Sequence, residues 1–147
     1  MTEPAQKDPL AIGLGALTAG VGLGAACITV VLLLVRLLQR TAQATGDPAT
    51  DVTGDLLIAG LIAGIAIAAL FGWRRSDGIE TLWQRGVVGV LSVFGALMVA
   101  FFLTIPARQL FGTAGLVLLA VAMALIGVAG SRCAIRGSGE RGAGTAI

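Results

Sequence analysis

Residues 10–38 read LAIGLGALTAGVGLGAACITVVLLLVRLL, and no Asp, Glu, Lys or Arg interrupts them before Arg36. About 20 apolar residues in a helix cross the hydrocarbon core of a bilayer, so this stretch is long enough to span and to tilt or protrude. Arg36 and Arg40 close it, and the stem of Arg36 can carry its charge out to the headgroups. Three more apolar runs follow, at about 55–73, 86–105 and 110–130, each free of charge near its centre. The reading is an all-α integral membrane protein, a four-transmembrane-helix bundle with glycine-rich packing.

Composition agrees. Of 147 residues 56% are hydrophobic and only 12% charged, too little polar surface to cover a soluble domain. Glycine occurs 22 times. In a soluble helix each would cost about 1 kcal/mol relative to alanine, whereas in membrane helices it lets backbones approach closely.

Punctuation sets the remaining boundaries. Residues 1–9 form a polar N-terminal tail unlike a secretory signal, which has a basic start and a shorter apolar core. Gly46, Asp47 and Pro48 read as a turn in the loop at 41–54. Trp73 followed by Arg74 and Arg75 is an aromatic-then-basic membrane exit. Trp83 and Arg85 are further interfacial anchors. Asp77 and Glu80 are spaced as a capping box, which predicts a short interfacial helix over 78–85. Pro106 should end or kink the third span, Ala107, Arg108 and Gln109 should form a tight turn, and residues 131–147 read as a flexible Gly-, Ser- and Arg-rich tail.

Four spans place the N-terminus, the 74–85 loop and the C-terminal tail on one side, with seven of the ten basic residues. Arg36, Arg40 and Arg108 lie on the other. The positive-inside bias then puts both termini in the cytoplasm, in a bacterial cytoplasmic (inner) membrane.

The strongest pattern is small-residue spacing. Ala16, Gly20 and Gly24 recur every fourth position, as do Gly60, Gly64, Ala68 and Gly72. Residues four apart share a helix face, so each series makes a flat groove into which another helix can press. That helix can belong to this chain or to a partner. The fourth span, ringed by leucines with Gly115, Gly127 and Gly130 towards its ends, reads as broadly lipid-facing.

The same survey argues against chemistry. There is no His, so the commonest metal and haem ligand is missing. Cys27 and Cys133 fall at different membrane depths, with no C-x-x-C, and support neither a disulfide nor a zinc site. Met98, Met123 and the phenylalanines read as packing or lipid contacts. Thr18, Thr29, Ser92 and Thr104 can bond to their own helix carbonyls. Asp47, Asp51 and Asp55 lack the glycine and the terminal glutamate of an EF-hand loop. No catalytic pair and no metal site emerge, and no cofactor of the chain's own is expected. A lipid, or an isoprenoid, quinone or pigment, held in a helix groove is the ligand class that the sequence admits.

In span count and topology this organisation resembles the small four-helix subunits of tripartite solute transporters and the supernumerary subunits of respiratory and photosynthetic complexes. The lack of chemistry, the glycine grooves and the short loops together lead to the expectation of a non-catalytic accessory subunit that packs against and stabilises a larger integral membrane subunit, with membrane lipids as its other partners and no nucleic acid. The alternative is a homo-oligomeric small transporter or channel.

Overall fold

The computed structural model describes residues 9–46 and 50–139. Three helices account for nearly all of them: α1 (Pro9–Thr45), α2 (Thr50–Arg75) and α3 (Leu82–Gly139). All three are long and apolar enough to cross a membrane, with mean hydropathy of 2.5, 2.4 and 2.5 in their most apolar windows. The protein is therefore an all-helical membrane protein with three helices, which corrects the expected four-transmembrane-helix bundle. The likeness in span count to four-helix subunits falls with it.

The correction arises in α3, where the expected third and fourth spans are one helical element. Pro106 does not end the helix, and Ala107, Arg108 and Gln109 are helical rather than a turn. The one departure from helical backbone comes six residues later, at Gly112, with φ 61° and ψ −132°. Side-chain-bearing residues are excluded from that conformation, and glycine is not. A straight helix of 58 residues would be about 87 Å long, far beyond a hydrocarbon core of about 30 Å. Gly112 resolves the mismatch by turning the chain back on itself. Ser92 and Ala96, before the bend, lie against Gly20 and Gly24, so this arm runs beside α1 in the same direction. Gly127, Gly130 and Ala134, after it, lie against Gly22, Thr18 and Gly15, so the second arm runs the opposite way.

The helix α1 is central, flanked by α2 and by both arms of α3, and it carries most of the core. That core is made mainly of small residues. Ala16, Ala19, Ala25, Ala68, Ala96 and Ala100 are buried together with a few larger side chains such as Ile12 and Leu116, while many large side chains, Leu14, Ile62, Phe94 and Leu125 among them, point outward. A water-soluble bundle does the reverse. In lipid no hydrophobic force holds apolar helices together, so cohesion comes from close backbone approach and the dispersion contacts that it allows.

At one end α2 passes to α3 through residues 76–81. The Ile79 N–H donates to the Ser76 carbonyl at 2.9 Å, and the Ser76 hydroxyl donates to the Trp73 carbonyl at 2.7 Å. Ile79 is buried and reaches towards Gly13. This closed turn replaces the first half of the interfacial helix expected over 78–85. The helix starts at Leu82, and the Thr81 carbonyl accepts its first bond from the Arg85 N–H at 3.2 Å. Thr81, a favourable residue at that position, takes the N-cap place expected of Asp77. At the far terminus α3 continues to Gly139, eight residues past the boundary at 131 expected for the tail.

Candidate functional site: helix seams, grooves and basic ends

Two seams run along α1, and each depends on the absence of a Cβ. On the first, a Cβ at Gly20 would lie 2.7 Å from that of Ser92 and 2.8 Å from the Ala68 carbonyl oxygen. One at Gly24 would lie 2.7 Å from the Ala68 Cβ and 3.0 Å from the Ala96 Cβ. From α2, Gly60 receives Val31, Gly64 receives Ile28, and a Cβ at Gly72 would meet the Ser92 hydroxyl oxygen at 2.6 Å. Ala16 and Ala68 are fully buried. Ala16, Gly20, Gly24, Gly60, Gly64, Ala68 and Gly72 thus all face the interior of this chain.

The second seam did not emerge from the i, i+4 series. Gly15 lies against the Ala134 backbone, Gly22 against the backbone of Gly127 and Met123, and Gly130 against Thr18 and Ala19. On Gly22 an added Cβ would lie 2.5 Å from the Gly127 nitrogen, which is backbone against backbone. Gly127 and Gly130 therefore pack on α1, where a broadly lipid-facing segment was expected. The signal in the sequence was their 3-residue spacing with Ala134 one turn on, overshadowed by the leucines around them.

The hydroxyls within the helices bond to their own backbone. Thr18 donates to the Leu14 carbonyl at 2.6 Å, Thr29 to Ala25 at 2.8 Å and Ser92 to Val88 at 2.8 Å, and Thr104 donates to Ala100. Their hydrogen-bonding capacity is met locally, as the sequence suggested.

One end of the bundle gathers Trp73, Arg74, Arg75, Trp83 and Arg85, the residues expected as interfacial anchors. Arg85 pairs with Asp77 and sits over the Trp73 ring, 5.2 Å from its centroid. A cation on an indole face at that range is attractive, so Trp73, Asp77 and Arg85 tie the end of α2 to the start of α3. Trp83 points outward, 81% exposed, and lines a shallow apolar recess with Leu10, Leu17 and Ile79. Arg74 and Arg75 close α2 here. Arg132 and Arg136 are at the same end, because Ala134 lies against Gly15 just as Ile79 lies near Gly13.

Arg36, Arg40 and Arg108 mark the opposite end. Arg36 is close enough to Arg108 and Arg40 to be repelled by both. Between the two ends, α1, α2 and the first arm of α3 enclose a groove of about 310 Å³, lined by Ile28, Leu32, Leu61, Leu97, Phe101 and Thr104 among others.

Cys27 and Cys133 are free thiols, and among the described residues no cluster of His, Cys, Asp or Glu could hold a metal ion. The side chains of Asp47 and Asp51 lie outside the described residues, and Asp55 is exposed. No family model, curated protein or solved structure matches this chain.

Proposed function

We propose that this chain is a non-catalytic integral membrane subunit that packs against and stabilises a larger membrane protein. One observation carries the reading. Both seams are close-packed through glycine, against small and branched side chains on the first and against backbone on the second, while the exterior is a broad apolar surface that includes Phe94, Phe101, Phe102 and Phe111. The small-residue seams hold the helices of this chain together, and its broad outer faces suit lateral contact with another membrane protein. The partner surface in this reading is the large-residue exterior, since the glycine series are already occupied from within.

The basic residues support an orientation. The end with Arg74, Arg75, Arg85, Arg132 and Arg136 faces the cytoplasm, and the end with Arg36, Arg40 and Arg108 faces away from it. In a bacterium the host bilayer would be the cytoplasmic membrane.

The test is gentle extraction from native membranes, followed by sizing and mass spectrometry of what co-migrates. A stoichiometric larger membrane protein is the expected result. A species built only of copies of this chain would refute the accessory role and favour a small transporter or channel formed between copies, to be followed by flux assays.

A further inference from the structure

The groove between α2 and the first arm of α3 has walls that continue into charge. On α1 it is lined by Ile28, Val31 and Leu32, and the next position on that stripe, four residues past Leu32, is Arg36. On α3 it is lined by Leu97, Phe101 and Thr104, and the position four past Thr104 is Arg108. The two stripes rise along the same direction, so both arginines come to one mouth of the groove. Arg40 adds a third positive charge one turn beyond Arg36. Among the described residues none of the three is in an ion pair, and Asp55, at the same end of α2, is exposed.

The dimensions match half of a bilayer. From Leu97 to Ile105 the helix rises about 12 Å, close to the roughly 15 Å that one leaflet contributes to the hydrocarbon core. The lining is apolar apart from Thr104, whose hydroxyl is held by its own helix. At about 310 Å³ the groove is at the lower bound of ligand pockets, which begin at roughly 300 Å³.

We propose that this groove is a binding site for an anionic phospholipid, with one acyl chain lying between α2 and α3 and the phosphodiester held by Arg36 and Arg108, supported by Arg40. A planar guanidinium offers paired donors to phosphate oxygens, and a groove that leads an acyl chain to such donors distinguishes a held lipid from one passing along the surface. The repulsion of Arg36 by Arg108 and Arg40 is relieved when the headgroup arrives. This inference rests on the membrane placement and is independent of the accessory role.

The test is native mass spectrometry of the full chain in detergent, titrated with palmitoyl-oleoyl phosphatidylglycerol or with palmitoyl-oleoyl phosphatidylcholine. The two lipids carry the same chains and differ in headgroup charge. The expected result is tighter binding of phosphatidylglycerol, with a preference that falls by about fivefold for each arginine removed in R36Q and R108Q. R74Q/R75Q, at the other end, leaves the preference intact. Leu61→Trp narrows the groove from α2, where Leu61 is already 42% exposed, and weakens the binding of both lipids. Equal binding of the two lipids by the unaltered chain would overturn the proposal, as would a preference that survives R36Q/R108Q. Should that double variant fail to fold, R108Q alone supplies the decision, since Arg108 is exposed. Phosphatidylglycerol binding unchanged in Leu61→Trp would show that the headgroup is held without the groove, which also overturns it.

Discussion

Two buried glycines, Gly22 and Gly89, should respond oppositely to the same substitution. A methyl group on Gly22 would lie 2.5 Å from the Gly127 nitrogen, 2.6 Å from its Cα and 2.7 Å from the Met123 carbonyl oxygen. Ordinary contact for a Cβ begins at 3.4 Å, so α1 and the second arm of α3 must separate by close to 1 Å. All three obstructing atoms are backbone, and no rotamer change relieves the clash. A radial gap of 0.5–1 Å forfeits roughly a quarter to a half of each dispersion contact, and the gap extends to the neighbouring contacts at Gly15 and Gly130. Overpacking a well-filled core costs typically 1–3 kcal/mol, and rigid obstruction places Gly22→Ala at about 3 kcal/mol. At Gly89 the nearest atom to an added Cβ is the Ala69 carbonyl oxygen at 3.8 Å, which is ordinary contact. There the helix propensity of alanine, up to about 1 kcal/mol over glycine, makes Gly89→Ala neutral or mildly stabilising. Reversible unfolding in mixed micelles, followed by helical circular dichroism, measures both. A Gly22→Ala variant within about 0.5 kcal/mol of the parent, or a Gly89→Ala variant as damaged as Gly22→Ala, would refute the argument from backbone contact.

Gly112→Ala should lose about 1–3 kcal/mol in the same assay, because its backbone at φ 61° and ψ −132° excludes a side chain although space around it is open. Gly60→Leu combined with Gly64→Leu should separate α2 from α1, where Val31 and Ile28 already fill the space, and sizing should show an expanded or aggregated species. Arg85→Gln removes both the pair with Asp77 and the contact with Trp73. At this partly exposed end it should lower stability by no more than about 1 kcal/mol, while shifting the Trp73 emission in a Trp83→Phe background. Cys133 is exposed, so under the proposed orientation a membrane-impermeant maleimide should label it in inside-out vesicles and leave it unlabelled in intact cells. The reverse pattern would overturn that orientation.

The uninterrupted run before Arg36 and the similar runs after it settle the membrane class without any tertiary information, because the length and apolarity needed to cross lipid are local properties. The same holds for the hydroxyls, which bond to carbonyls four residues back, and for the end of α2 at Arg74 and Arg75. The two glycine series were also legible, because helical periodicity puts their members on one face. Which surface covers that face was a separate matter. Only the fold shows Ala68, Ser92, Val31 and Ile28 there, contributed by segments distant in sequence.

Three features depended on tertiary structure. Pro106 carried the local breaking signal, yet the chain turns at Gly112, where the backbone needs a conformation that glycine alone tolerates. Asp77 had the spacing of a cap and instead pairs with Arg85, since the buried Ile79 turn delays the helix to Leu82. Gly22, Gly127 and Gly130 form a second seam because the bend brings the end of α3 back beside the start of α1. Local sequence determines whether a segment is helical and can enter lipid, since those depend on bonds and side chains within a few residues. Which helix meets which is decided by backbone approach between distant segments, and no local pattern specifies the partner.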